Sequence, residues 1–432
     1  MVTWTEDHLR SAVTDAATLK RGLDLATPSK WGNMGASARA LWGECQGSGS
    51  KPYQVAIDIG GPAFKCSCPS RTFPCKHGAG LMVLAVRTTN LFKDEAEPGW
   101  VDTWLSKREA KETAKTEPAT PKTPTDPEAQ AKREAQRQKR MAEGLGEVER
   151  WLLDVARTGL ATLQAQPIIA WESQAARLVD AQLPGLANRV RELQNLWSGR
   201  ARELRDGLGE LYLLVHAAQR SDALPGTLRA EVQQQLGVNM KKEQVLAESP
   251  ALHDQWWVLG QVITEEERLT QRRTWFFGIR TQRYALVLDH SFGSQGFPTT
   301  FIGNGIYEGA LHFYPGPYPL RAIAEELHLR PETHTPERPS RSPLSALDEL
   351  ARAIAANPWS RQFPLWLEQT VPEVHKECWY LRHAEGLLPM SCSVTEGWSL
   401  VARSGGMPVD IFGEWNGRGL RPVRVALGSS IS

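Results

Sequence analysis

Residues 66–84 read Cys-Ser-Cys-Pro-Ser-Arg-Thr-Phe-Pro-Cys-Lys-His-Gly-Ala-Gly-Leu-Met-Val-Leu. Within them Cys66-x-Cys68 and Cys75-x-His77 are separated by six residues, two of which are Pro69 and Pro74. Three thiolates and an imidazole are the donor set of a tetrahedral zinc ion. A Cys-x-Cys pair on a strand aims both sulfurs to one side, because successive strand residues alternate between faces. The prolines stiffen the joining loop and so lower the entropy lost when metal closes it. Four protein ligands leave no coordination position for water or substrate, so the expected Zn2+ is a single structural ion with no catalytic role. Buried inert thiols, a redox pair or an iron–sulfur cluster are the alternatives for the same residues.

Working outward, Tyr53 to Ile59 alternates like a strand, Gly60-Gly61 turns it, and Ala63 to Cys68 returns as a second strand. The run from His77 to Val86 reads as a helix, so the local order is β, β, α. Upstream, Leu9, Val13, Ala16 and Leu19 recur at helical spacing within residues 5–25. Residues 106–140 contain no large apolar side chain and many Pro, Thr, Lys and Glu, which predicts a disordered linker. From 142 to about 218 the pattern is helical, with stripes at Leu145, Val148, Trp151, Leu152 and Val155 and at Leu204, Leu208, Leu211 and Val215. Beyond Gln255 alternating, aromatic-rich runs predict strands, with a hairpin turn near Thr281 to Arg283 and one helix around Leu344 to Ala356. The stretches at 379–383, 397–415 and 421–427 read as further strands, with a Gly405-Gly406 turn. The fold class is α+β: an N-terminal domain 1–105 with the finger at about 53–90, the linker 106–140, a helical subdomain 141–245 and a β-rich domain 246–432.

The Cys-x-Cys and Cys-x-His pairs, together with WGECQGSGSKPYQVAID upstream, resemble the bacterial SWIM zinc finger family proteins. The segments AARLVDAQLPGLA (175–187) and SGGMPVDIFGEWNG (404–417) are similar to other parts of those proteins. The resemblance implies a β-β-α finger that binds zinc through Cys66, Cys68, Cys75 and His77, and a role in protein interaction or DNA binding. It also implies an association with AAA-type ATPases or von Willebrand A-type proteins as partners.

Composition narrows the remaining choices. The chain of 432 residues is 41% hydrophobic and 23% charged, as expected of a folded protein of more than one domain. A net charge of +1 excludes the broad basic surface of a nucleic-acid-coating protein. Neither a signal peptide nor a membrane span is recognisable, which predicts a cytoplasmic location with no membrane partner. Lys65, Arg71, Lys76, Arg87 and Lys93 occur between Gly60 and Lys93 without an acid. Lys65, Arg71 and Lys76 are read as offsetting the thiolate charge and the others as ordinary solvated helix ends, with phosphate contact as the alternative. His375, Cys378, His383 and Cys392 are metal-type residues at a spacing that fits no compact knuckle, and are read as ordinary strand residues. Eight of the sixteen tryptophans, including Trp256, Trp257, Trp275, Trp366 and Trp398, are read as buried anchors of the β-rich half, with an aromatic groove as the alternative. Of Glu172, Arg177 and Asp180, the last two are an i, i+3 helix pair and read as a surface or inter-helix salt bridge and not as an acid/base site. No phosphate loop, nucleophile elbow or His-Glu-x-x-His pattern occurs, and no catalytic residue is assigned. The expected function is non-enzymatic interaction with a protein partner. Nucleic-acid binding through the finger and an enzyme site in the C-terminal region are the rivals.

Overall fold

The computed structural model describes residues 4, 6, 9, 12, 13, 15–46, 51–59, 63–70, 74–116, 127–196, 201–238, 240–266, 269–292, 297, 299–330, 336–339 and 341–426. The Gly60-Gly61 turn, Arg71, Phe73 and most of the expected first helix before Asp15 lie outside the described residues. The architecture is α+β: strands near the N-terminus, helices in the middle and a β-rich C-terminal part.

In the N-terminal unit, helix α1 (Ala16–Leu25) starts where the Asp15 carboxylate accepts the Thr18 N–H at 2.7 Å. Four strands follow: β1 (Trp31–Ala36), β2 (Ala40–Cys45), β3 (Tyr53–Asp58) and β4 (Phe64–Cys66). Helix α2 (Lys76–Arg87), the short β5 (Lys93–Asp94) and helix α3 (Gly99–Thr116) complete it. The sheet order is β4-β3-β2-β1-β5. Alternation sorts its two faces. Leu41, Val55 and Ile57 share a core with Leu81, Val83 and Leu84 of α2, whereas Ala40, Trp42 and Ala56 pack with Val101 and Leu105 of α3. Helix α2 is buried from His77 to Ala85, which is why it is apolar all round. It crosses α1 at Gly22, where an added Cβ would lie 2.6 Å from that of Ala79.

Residues 106–140 differ from the expected linker. Helix α3 runs into this segment from one side and α4 (Pro127–Thr158) from the other, and only residues 117–126 lie outside the described residues. Lack of apolar residues removes burial but not helix propensity, and this stretch is rich in Ala, Glu, Lys, Arg and Gln. Packed residues at the far ends, Val101 and Leu105 on α3 and Met141, Leu145 and Val148 on α4, supply the nucleus from which the polar turns propagate.

Helices α5 (Leu160–Gln164), α6 (Ile168–Asp180), α7 (Pro184–Gln194), α8 (Ala201–Gln219), α9 (Gly226–Leu236) and α10 (Lys242–Glu248) follow. Their core joins both expected stripes, Leu145, Val148, Leu152 and Val155 with Leu204, Leu208, Leu211 and Val215. An inter-helix bridge is made by Glu172, whose carboxylate accepts Arg191 Nε of α7 at 3.1 Å, and not by the Arg177/Asp180 pair read from the sequence.

Strands β6 (Ala251–Glu266), β7 (Leu269–Gly278), β8 (Tyr284–Phe292), β9 (Ile306–Phe313) and β10 (Arg321–Leu329) form a closed barrel of order β10-β8-β7-β6-β9. A three-strand meander, a β9–β10 hairpin and a parallel β8–β10 pair that closes the ring make this the strand order of oligonucleotide-binding-type barrels. The hairpin turn lies where expected, and Asp254 clamps it by accepting the N–H of Arg280 and of Thr281 and the Thr281 hydroxyl.

Helix α11 (Pro343–Ala356) leads into a second sheet, order β13-β12-β11-β14-β15, made of β11 (Phe363–His375), β12 (Cys378–His383), β13 (Gly386–Pro389), β14 (Val409–Trp415) and β15 (Leu420–Ala426). The segment 394–404 corrects an expected strand: it is helix α12 (Val394–Ser404). Ser393 and Glu396 form a reciprocal capping box, and Gly405, at φ 60°, ends the helix.

The C-terminal sheet lies on the outer face of β6–β8. Trp366 stacks on Trp257 at 5.1 Å, and Glu414 is buried between Arg273 (3.0 Å) and the Trp275 indole N–H (2.7 Å). Gly260 permits the approach, since a Cβ there would lie 2.5 Å from Val423. Trp359 enters the helical core, and Ile302 of the barrel enters the N-terminal core.

Candidate metal centre

Cys66 is the last residue of β4 and pairs with Val55 of β3. The chain stays against β3 for one further residue, because Ser67 N–H donates to Gln54 O at 3.0 Å and its hydroxyl accepts Gln54 N–H at 2.9 Å. This staple keeps the strand alternation running through Cys68, so the two sulfurs face one side. Cys75 is the N-cap of α2, and His77 lies in the first turn. Phe64 packs where Gly78 has no side chain: a Cβ at that glycine would lie 3.0 Å from the ring.

One ligand atom from each of Cys66, Cys68, Cys75 and His77 lies within 4.8 Å of all the others. His77 Nδ1 is 3.8 Å from Cys66 Sγ and 4.0 Å from Cys75 Sγ. With metal–sulfur bonds of ~2.3 Å and metal–nitrogen bonds of ~2.0 Å, the edges of a tetrahedron are roughly 3.5–3.8 Å. Those two separations come close to a tetrahedral site, and the donors suit a soft or borderline cation. Cys75 and His77 are buried, and Tyr53 of β3 stacks on the imidazole at 4.8 Å.

The protons of the metal-free cluster are unequally held. The Cys75 thiol is pulled well down, chiefly by the hydrogen bond with Cys66, against the push of burial, and His77 and the Gly78 N–H assist. The N-terminus of α2 thus points a backbone donor at a thiolate, the usual way to stabilise one. Cys66 is raised, first by that same shared bond and then by burial, and Cys68 is raised mainly by burial. Metal binding must displace whatever protons the thiols carry, so the affinity of the site depends on pH.

Of the residues expected to offset the thiolate charge, Lys65 is placed differently, and Arg71 lies outside the described residues. Lys65 lies on the other face of β4 from Cys66, donates to Trp100 O at 3.1 Å and sits over the Trp100 and Trp104 rings at 5.5 and 5.9 Å. Its pKa is lowered by burial first and by Lys107 second. Arg87 pairs with Glu6 at 2.8 Å and Lys93 with Glu95 at 4.0 Å, while Lys76 is exposed.

Among the described residues, the four ligands form the one group of three or more His, Cys, Asp or Glu that can hold a metal. His375 and Cys378 are register partners on β11 and β12, and they do not converge with His383 and Cys392. Trp256, Trp257, Trp275 and Trp366 are fully buried as expected, but Trp398 is 55% exposed on α12. Sequence reasoning missed Tyr53 and the Ser67–Gln54 staple. An aromatic at the far end of the paired strand was the available signal for the first.

Residues 136–236 match the family model of the SWIM-associated four-helix bundle domain. That range covers most of α4 and all of α5 to α9. Comparison with curated proteins and with solved structures gave no match. The chain thus joins a region that matches the SWIM-associated bundle to a Cys/Cys/Cys/His cluster that could hold a metal ion. No helix among the described residues is long and apolar enough to cross a membrane.

Proposed function

We propose that this chain is a non-enzymatic, SWIM-type interaction protein whose N-terminal unit is organised by one structural Zn2+ and which binds a protein partner. The observation that carries the reading is the convergence of four protein donors, two of them buried, between a sheet and a helix N-terminus. A full set of protein ligands excludes substrate from the ion and couples its binding energy to folding. Bound there, the ion would tie the end of β4 to the start of α2. Cys75 and the Gly78 N–H hold charge at the site, and Tyr53 orients the imidazole.

Two features favour protein over nucleic acid as the partner. Lys65 donates to Trp100 O and lies over Trp100 and Trp104, and Arg87 pairs with Glu6, so these two cations of the finger already have partners, while Lys76 and Lys93 are exposed. The strand face that oligonucleotide-binding barrels offer to ligands is filled by Trp366, Phe412 and Glu414 of this same chain. The resemblance suggests AAA-type ATPases or von Willebrand A-type proteins as partner classes.

The purified chain is expected to contain about one zinc per molecule by elemental analysis, and Cys75→Ala to contain far less and to unfold its N-terminal unit at lower temperature. Affinity capture from the native host is expected to recover a stoichiometric protein with the wild type and less with Cys75→Ala. Zinc content unchanged by the substitution would overturn the metal assignment, and capture of no partner by the wild type would overturn the interaction reading.

A further inference from the structure

The N-terminal sheet has one edge that its own strands cover incompletely. On one side β1 pairs with β2 from Trp31 to Ala36, with a bulge between Gly32 and Gly35. On the other side β5 reaches only Gly35 and Ala36, so among the described residues no strand lies beside Trp31–Met34. A groove of about 440 Å³ opens along this stretch. Its size is that of sites holding a small molecule or a few peptide residues.

The lining is chemically uneven. Trp42 and Trp100, on the α3 face of the sheet, supply aromatic wall, and Glu44, Glu95 and Lys93 supply the charges. Glu44 is oriented by Asn33, whose amide donates to it at 2.8 Å. Glu95 meets Lys93 only at 4.0 Å, with both side chains more than half exposed, so that pair is weak in water. Two carboxylates against one ammonium repel phosphate and attract a cation. The Trp100 ring already accepts a cation, the Lys65 ammonium 5.5 Å from its centroid.

We propose that this edge and groove take an extended peptide segment of a partner protein bearing a Lys or Arg side chain. The peptide backbone would pair with the uncovered edge of β1 ahead of β5, and its cation would sit among the tryptophans between Glu44 and Glu95. The bulge at Asn33, with φ 48°, limits regular pairing to a short stretch, so side-chain recognition has to supply much of the specificity. This inference deepens the interaction reading given above and rests on it.

The test uses the full chain and two fluorescein-labelled peptides, acetyl-(Lys-Val)4-amide and acetyl-(Glu-Val)4-amide, followed by anisotropy. The cationic peptide is expected to bind and the acidic one to bind at least roughly tenfold more weakly. Glu44→Gln/Glu95→Gln and, separately, Trp100→Ala are expected to weaken the cationic peptide by roughly tenfold. The control Glu143→Gln/Glu147→Gln on α4 changes net charge equally and is expected to leave binding unchanged, with zinc content and circular dichroism reporting folding in every variant. Equal loss in the groove and control variants, no loss in either groove variant, or no binding of the cationic peptide would overturn the groove. Partner capture that survives Glu44→Gln/Glu95→Gln would overturn it too while leaving the interaction reading intact. That reading fails separately if the wild type captures no partner.

Discussion

At the scale of single residues, this molecule uses carboxylates and thiolates in buried places where hydrogen bonds hold their charge. Cys75 is one case. Asp254 is another: burial pushes its carboxyl up, but the Thr281 hydroxyl and the N–H groups of Thr281, Arg280 and Gln255 outweigh that push and leave it lowered. A pKa below the unfolded value near ~3.9 means the stabilisation is complete above that value and is lost as pH falls through the folded one. Asp254→Ala is expected to cost about 2–3 kcal/mol at neutral pH, since it strands N–H donors in the turn. In urea melts run across pH, the gap between variant and wild type should close under acid conditions. A gap that stays constant down to pH ~2 would contradict this account.

At the scale of elements, the capping chemistry shows how a short signal can outweigh a pattern. Residues 397–415 contain enough apolar side chains to read as strand throughout, yet Ser393-Val-Thr-Glu396 is a capping-box signature that starts a helix. Glu396 is lowered mainly by the Ser393 N–H it accepts. Ser393→Ala is expected to cost about 1 kcal/mol, read as a lower thermal midpoint with the sheet otherwise preserved. The segment 106–140 carries the complementary lesson. Its composition correctly signals a lack of burial, but Lys139 with Glu143 and Arg137 with Glu134 lie at helical spacing, and a helix nucleated elsewhere runs through them.

At the scale of the whole molecule, the contact between barrel and C-terminal sheet decides which surfaces remain for partners. Arg273 and Glu414 are almost fully buried, with Glu414 also accepting the Trp275 indole. Glu414→Ala leaves the buried Arg273 guanidinium without its carboxylate, and a loss of about 3–5 kcal/mol is expected in denaturant titrations. The double variant Arg273→Met/Glu414→Leu should recover most of it, because an apolar pair needs no desolvation of charge. Failure of the double variant to recover would show that the bridge does more than compensate its own burial. Residues 251–426 are expected to unfold in one calorimetric transition, since their two sheets share the Trp257, Trp275 and Trp366 core.

The sequence by itself determined which Cys and His residues form a cluster that could hold a metal, the β-β-α order around them, the helical stripes and the α+β class. Each of those is written in spacing along the chain, and periodicity or ligand spacing is a local property. Only the tertiary structure decided that Lys65 turns away from the sulfurs to two tryptophans, that β5 leaves part of β1 uncovered, and that Glu414 finds Arg273 across 141 residues. Those outcomes depend on which faces meet after long loops close, and the free energy that chooses among such meetings is distributed over the whole packed interface.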